Sequence, residues 1–433
     1  MTREPQRLLL LSTTTGYQMR SFVEAARKLG LAVALGTDRC HVLEDPWQDG
    51  ALPLHFEDAE GSARQIVEYA QASRVDAIVS VGDRPTPTAA RACRDLGLAG
   101  HPPLATDICR DKFLFRERLR TAGLRAPRFQ HFSLESDPER LLASGDVTVG
   151  FPCVLKPLAL SGSRGVIRAD DPEQFVAAFG RIRNLLRSPD VQVLREAASE
   201  FLQVEAYIEG EEVAVEAVVD RGRLQILAIF DKPDPLIGPF FEETIYVTPS
   251  RLPDDEQQEM KDALSRAVEA IGLKHGPLHA EMRINSEGAW LLEVAARPIG
   301  GLCARALRFQ APGSADLISL EELVICLALG ASVEKVRRET SASGVMMIPI
   351  PEEGIFRHAE GVEEARATPG VEDVTITAKP DHKLVALPEG SSYLGFIFAR
   401  GDSPEFVENA LRSAHRKLRF VISPALPVLR ASG

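Results

Sequence analysis

His279-Ala280-Glu281-Met282-Arg283-Ile284-Asn285-Ser286-Glu287-Gly288-Ala289-Trp290-Leu291-Leu292-Glu293-Val294-Ala295-Ala296-Arg297-Pro298 is the stretch that decides how this chain is read. It holds two runs of alternating apolar and polar residues around a glycine-containing turn, the pattern of a β-hairpin. With a three-residue loop, Ser286-Glu287-Gly288, Asn285 pairs with Ala289 and Glu281 falls opposite Glu293. Period-two alternation then puts His279, Glu281, Arg283, Leu291, Glu293, Ala295 and Arg297 on one face. Met282, Ile284, Trp290, Leu292 and Val294 take the other face, which is expected to be core. Like charges opposed across a ladder destabilise it by up to about one kcal/mol, so a counter-ion is called for. Carboxylate oxygens are hard ligands that suit Mg²⁺, which takes one or two protein carboxylates together with substrate phosphates. The competing reading is a solvated sheet face on which Arg283 and Arg297 pair with the glutamates.

The chain has 433 residues, too many for one ordinary core, and roughly two to four domains are expected. Hydrophobic residues at 45% beside 26% charged ones are ordinary for a soluble globular protein. The net charge of −12 is spread along the chain, which argues against a nucleic-acid surface. No apolar run approaches membrane-spanning length, and Met1 to Arg7 lead into the strand-like Leu8 to Leu11 without a cleavable signal pattern. A cytoplasmic location with no membrane partner is expected. Cysteines 40, 93, 109, 153, 303 and 326 show no C-x-x-C spacing, so buried free thiols are expected. His275 and His279 are separated by Gly276-Pro277 and there is no H-E-x-x-H, so zinc is not indicated.

The first hundred residues alternate strand and helix: Leu8 to Ser12, Tyr17 to Leu29, Leu31 to Leu35, Ala63 to Gln71 and Val75 to Val81. Such alternation predicts a parallel sheet with crossover helices. The turn Ser12-Thr13-Thr14-Thr15-Gly16 stands where open α/β sheets bind ligands, but it lacks G-x-G-x-x-G and is not read as a dinucleotide site. Thr106 is expected to cap a helix from Asp107 to Ala122. Strand-like segments then dominate to Phe230, a helix from Asp254 to Ile271 leads into the hairpin, another covers Leu320 to Leu329, and the tail returns to strands with a helix from Pro404 to Arg416. The expected organisation is α/β and α+β in four parts. These are a Rossmann-like lead domain over 1–104, two middle lobes over 105–202 and 203–335, and a small α+β tail over 336–433.

Phe151-Pro152-Cys153-Val154-Leu155-Lys156 reads as a strand ending in lysine, followed by Ser161-Gly162-Ser163-Arg164-Gly165. Small residues let backbone N–H groups approach anionic oxygens, and a lysine supplies a point charge. This is not a Walker A loop, because the lysine precedes the glycines. Val204-Glu205-Ala206-Tyr207-Ile208-Glu209-Gly210-Glu211-Glu212 reads as a linker that offers backbone groups and two carboxylates to an adenine and its ribose, or as an ordinary hairpin with exposed acids.

Lys112, Lys156, the Glu205 to Glu212 segment, and the Glu281, Glu293, Arg297 hairpin occur in the order and spacing that resemble the ATP-grasp superfamily, in its biotin-carboxylase-like branch. Glu293-Val-Ala-Ala-Arg297-Pro-Ile-Gly300-Gly301, with Asp231-Lys232 and Gly238-Pro239-Phe240-Phe241-Glu242-Glu243, is most similar to bacterial L-amino-acid ligases that make dipeptides. The resemblance implies ATP as cofactor with Mg²⁺, or Mn²⁺ in its place. It puts Lys112, Lys156 and the loop Ser161, Gly162, Ser163, Gly165 on the phosphates, Glu205, Ala206 and Ile208 at adenine, and Glu212 at ribose. Glu281 and Glu293 would hold the metal and Arg297 would stabilise an acyl phosphate. Glu242 is a candidate for recognising the ammonium of the incoming amine, with Glu243 or a structural role as alternatives, and His279 is read either as a contact near the metal or as a structural histidine. Many superfamily members carry asparagine where this chain has Ala295, which bears on whether a second metal is held. The expected activity is ATP-dependent, ADP-forming ligation of a small-molecule carboxylate to an amine. A biotin-carboxylase-like carboxylation and a catalytically inactive MgATP-binding module are the alternatives. Oligomeric state stays open, a homodimer being frequent among relatives.

Overall fold

The computed structural model describes residues 5–13, 18–38 and 51–424. Leu8 to Leu11 are all fully buried, as befits a strand covered on both faces. They form β1 (Arg7–Ser12), which pairs in parallel with β2 (Ala32–Thr37), while β3 (Leu52–Pro53) lies outside β2 and β4 (Ala77–Val81) lies on the other side of β1. The helices α1 (Met19–Lys28) and α2 (Ala59–Ala72) make the crossovers, and α3 (Thr86–Leu96), absent from the sequence expectation, follows β4. Thr14 to Gly16 of the expected ligand turn, and Cys40, lie outside the described residues. At the end of β4, Gly82 takes φ +97° and turns the chain. Asp83 follows, its carbonyl held by the N–H and hydroxyl of Thr86 at 3.0 and 2.8 Å.

The single helix expected over Asp107 to Ala122 is two, α4 (Pro103–Arg110) and α5 (Lys112–Thr121). Thr106 lies inside α4, which begins at a proline suited to a first helical turn. Asp111 is the break: its backbone is extended and its carboxylate accepts from the N–H groups of Phe113 and Leu114 at 2.8 and 3.0 Å. This N-cap puts Lys112 at the first helical position, with Arg116 one turn later on the same face.

Lobe 1 is built from β5 (Phe129–Ser133), β6 (Cys153–Pro157), β7 (Ile167–Ala169) and β8 (Phe201–Ala206), in the order β5-β8-β6-β7. Its core packs beneath a helix, Pro172–Leu186, through Phe175, Phe179 and Ile182. β8 belongs to this sheet and runs across the boundary expected at 202.

Lobe 2 consists of β9 (Glu211–Asp220), β10 (Arg223–Asp231), β11 (Ile245–Thr248), β12 (Gly276–Asn285) and β13 (Gly288–Ala295). Its sheet does not stop at β11. The tail strands Ala342–Ile348, Gly395–Gly401 and Val371–Ile376 continue it into one sheet of 8 strands. Three tail strands therefore extend the lobe 2 sheet, while Gly354–Glu360, Lys383–Leu384 and Arg419–Ser423 form a separate three-stranded sheet of the tail. The helix Asp254–Ile271 covers the β9–β13 face through Leu264, Val268 and Ile271. The helix Leu320–Ala328, started by a Ser319/Glu322 capping box, shares one apolar cluster with Leu8, Leu10 and Val79 of the lead domain. Among the described residues no helix is long and apolar enough to cross a membrane.

The hairpin departs from its expected register. Asn285 pairs with Gly288 around a two-residue turn, Met282 pairs with Leu291, and Leu292 is then an extra residue. Beyond this β-bulge Glu281 again faces Glu293. Leu291, expected on the ligand face, is in the core, and Leu292, expected in the core, faces the cleft. The fully buried guanidinium of Arg116 donates to the carbonyls of Leu291 at 2.6 Å and Leu292 at 3.0 Å. It thus satisfies backbone groups that the bulge frees from the ladder.

Candidate active site

One cleft lies between the lobe 1 sheet and the hairpin face. It gathers Lys112, Lys156, Ser161, Gly162 and Ser163 on one side, Glu205, Ala206 and Ile208 at the linker, and Glu212, Glu281, Glu293 and Arg297 on the other. Gly165 and Glu242 are not on its wall. The Gly165 N–H instead donates to the Pro388 carbonyl of the tail at 2.8 Å, and a side chain there would strike Pro157 and Leu185. Glu242 is half-buried and accepts from the backbone of Ile350, burial raising its carboxyl above the ordinary value. Its neighbour Glu243 turns inward.

At the cationic end, Lys112 Nζ lies 2.8 Å from the Leu160 carbonyl and 3.5 Å from Glu293 Oε2. Lys156 Nζ is 2.7 Å from Glu205 Oε2. Glu205 also accepts from Arg116 at 2.6 and 3.1 Å and from Gln203 at 2.5 Å. Burial works to raise this carboxyl, but the charges of Arg116 and Lys156 overcome it and hold it at about 2. Burial likewise pulls the Lys156 ammonium down to about 8, against the opposing effect of Glu205. Glu205 is thus an anchor for two cations before it is anything to an adenine. Adjacent to it, the Tyr207 ring lies between the guanidinium groups of Arg168, at 4.2 Å, and Arg283, at 5.1 Å, which joins the two lobes.

At the acidic end, carboxylate oxygens of Glu212, Glu243 and Glu281 lie within 4.8 Å of one another. Lys232 stands among them: its Nζ is 2.8 Å from Glu212, contacts Glu243, and is 3.9 Å from Glu281. Arg283 adds a bond to Glu212 at 2.8 Å. Burial, reinforced by Glu243 and Glu293 and opposed by Lys232, pushes the Glu281 carboxyl up to about 8. Such a concentration of hard oxygen donors fits Mg²⁺, which takes carboxylates and keeps other positions for water and phosphate. Glu281 and Glu293 face this space together, with Glu243 beside them.

Arg297, just beyond β13, meets the lead domain. Its Nε and Nη2 donate to the two Asp83 oxygens at 3.0 and 3.1 Å, and Nη1 donates to the Pro298 carbonyl at 3.0 Å. Burial opposes both charges, but each holds the other ionised: Asp83 sits below its ordinary value and Arg297 above. His279 pairs with Ala295 across the hairpin. Its Nδ1 is 3.1 Å from Glu216, which also accepts from the Ile299 N–H at 3.1 Å. Burial and the charges of Arg297 and Lys232 keep this imidazole neutral.

Sequence reasoning missed Arg116, Asp83 and Glu216 as neighbours of the cleft residues, and considered Glu243 only as an alternative to Glu242. Arg116 sits in Lys112-Phe-Leu-Phe-Arg-Glu-Arg-Leu-Arg120, which reads as a solvated helix face; its four-residue spacing from Lys112 was the available signal. Asp83 was signalled by its place just past the carboxyl end of a parallel strand, where such sheets bind ligands.

Two lobes closing on a cleft that joins lysines, a small-residue loop and facing carboxylates define the ATP-grasp class, and the chain belongs to that superfamily. Family models match in three stretches: ATP-grasp N-terminal domain over 23–100, ATP-grasp domain over 149–306, and L-amino acid ligase C-terminal domain 2 over 346–423. Within the superfamily it therefore carries the tail domain of the L-amino acid ligases. The crystal structure of L-amino acid ligase from Bacillus licheniformis superposes with a TM-score of 0.80 at 25% identity, covering 98% of this chain and 100% of that one. Alanine–anticapsin ligase from Bacillus subtilis is 32% identical over 259 residues, 57% of this chain and 53% of that protein. Carnosine synthase 1 of Gallus gallus is 31% identical over 314 residues, 68% of this chain and 33% of that protein. The chain thus spans about half the length of the first of these curated relatives and a third of the second.

Proposed function

We propose that this chain is an ATP-dependent, ADP-forming carboxylate–amine ligase that joins two L-amino acids through an acyl phosphate. The observation that carries the reading is the convergence of Lys112, Lys156, Glu281, Glu293 and Arg297 in one cleft, in a chain whose tail matches the L-amino acid ligase C-terminal domain.

A carboxylate is a poor electrophile, and its charge is repelled by the phosphate oxygens it must approach. Transfer of the γ-phosphoryl group to a carboxylate oxygen, with ADP leaving, gives an acyl phosphate; attack by the amine then forms the amide and expels phosphate. Lys112 and Lys156 hold phosphate oxygens, and Ser161, Gly162 and Ser163 on the cleft wall supply backbone donors. Glu281 and Glu293, with Glu243 beside them, would hold Mg²⁺, or Mn²⁺ in its place, which supplies charge neutralisation across the phosphates when bound. Arg297 retains N–H groups for the oxygens that gain charge during transfer. Loss of one such donor costs about a hundred- to a thousandfold in rate. Arg297→Ala is accordingly expected to keep the fold, at a lower melting temperature because Asp83 loses its buried partner, and to lose that much turnover.

The deciding experiment is a matrix of L-amino-acid pairs assayed for ADP and phosphate release, with product masses read afterwards. Pair-dependent release with a dipeptide mass is the expected result. Bicarbonate-dependent release that ignores amino acids would instead assign carboxylation, and MgATP binding without release under any condition would make the chain a binding module.

A further inference from the structure

We infer that Asp83 is a positioning residue for Arg297, which makes the lead domain part of the phosphoryl-transfer site. The inference rests on the role proposed for Arg297 above. A guanidinium has five N–H bonds in a fixed plane. Asp83 takes those on Nε and Nη2 from one side, and the Pro298 carbonyl takes one on Nη1. One N–H on each terminal nitrogen is left for a ligand, and Arg297 is on the cleft wall.

The fork fixes orientation because both ends of it are fixed. Asp83 stands on a turn locked by Gly82 in a left-handed conformation and by two bonds from Thr86 to the Asp83 carbonyl. Arg297 follows a strand whose next residues are held by the Ile299 N–H on Glu216. The Gln18 side chain of the lead domain also donates to the Ile299 carbonyl, so the two domains are joined at both sides of Pro298. A lone arginine on a strand end would swing its charge among several phosphate oxygens. Held by Asp83, it presents one edge in one direction, and that matters for a group in transfer more than for the bound nucleotide.

The test separates those two states without knowledge of the amino-acid substrates. Affinity is measured by calorimetry for an ATP analogue with a bridging nitrogen, in Mg²⁺, and for MgADP with aluminium fluoride, a mimic of the phosphoryl group in flight. Asp83→Asn is expected to weaken the fluoride complex about tenfold or more while leaving the analogue within about twofold. Arg297→Ala should show the same selective loss, and the double variant should lose no more than Arg297→Ala alone, because Asp83 acts through the arginine. Unchanged fluoride affinity in Asp83→Asn, or losses that multiply in the double variant, would overturn the inference while the ligase reading stands. Normal fluoride affinity in Arg297→Ala would remove the proposed role of that arginine and this inference together. Should Asp83→Asn fail to fold, Asp83→Glu keeps the ion pair and displaces the fork by one methylene; the same selective loss at smaller size is expected, and none would overturn the inference.

Discussion

Glu205 shows how charge and burial combine at a single position. It is 4% exposed and pairs with both Arg116 and Lys156. Its folded value of about 2 lies below the 4.5 of a free glutamate. Between those values the unfolded chain binds more protons, so stability rises with pH there. The contribution, on the order of 3 kcal/mol, is fully present above the free value and is lost as pH falls towards the folded one. Glu205→Gln leaves two buried cations without their anion and is expected to destabilise the protein by about 3–5 kcal/mol at neutral pH. Urea midpoints of the two proteins should converge as the pH is lowered through that window. A gap independent of pH would mean that Glu205 is not the titrating anchor. The residues that surround this carboxylate come from 116, 156 and 203, and nothing local in Val204-Glu205-Ala206 announces them. Its place on the cleft was legible in the sequence, whereas its partners were not.

Among the elements, the hairpin and the α4–α5 break are instructive because the same kind of local signal was read well in one respect and poorly in another. A three-residue loop opposes Glu281 to Glu293, and so does a two-residue loop followed by one bulged residue. The facing carboxylates were therefore legible although the turn was not, and the difference appears between turn and bulge, where Leu291 and Leu292 exchange faces and Trp290, expected in the core, pairs with Arg283. The carbonyls at the bulge accept from Arg116, which is 175 positions away from Leu291 in the chain, and no local pattern reveals that partner. The break at Asp111 carries a local signal, an aspartate before a helical run, but Thr106 offers a competing cap ahead of it. Asp111→Ala removes a cap worth about 1 kcal/mol and frees the first turn that carries Lys112. A lower melting temperature is expected together with weaker MgATP binding by about two- to tenfold, since Lys112 loses its fixed starting point. Loss of stability with unaltered nucleotide affinity would confine Asp111 to a structural role.

Over the whole molecule, lobe 1 touches the rest through few but specific links, while lobe 2 and the tail share one sheet of 8 strands. One of those links is at the loop Ser161 to Gly165. The Glu389 carboxylate pairs with Arg181 through both oxygens, its carbonyl accepts from Arg164 Nε at 2.6 Å, and Pro388 accepts from Gly165. Glu389→Ala is expected to raise the dissociation rate of MgATP by about two- to tenfold, in keeping with about 1 kcal/mol for a partly exposed charged pair. Stopped-flow measurement with a fluorescent ATP analogue checks it, and an unchanged rate would show that the loop closes without help from the tail. The strand and helix patterns change along the chain, and the expected lead, middle and tail parts follow those changes. The merging of the tail with lobe 2 was hidden, since Ile245–Thr248 and Ala342–Ile348 pair across almost a hundred residues that include the hairpin. That continuous ladder has a practical corollary. An expression fragment ended near 335 would strip the covering strand from Ile245–Thr248, whose residues are all buried, and leave an apolar ribbon of unpaired backbone ready to recruit another chain. The catalytic half of this protein is thus not a detachable cassette, and exchanges of specificity between relatives must carry the final ninety residues along with the cleft.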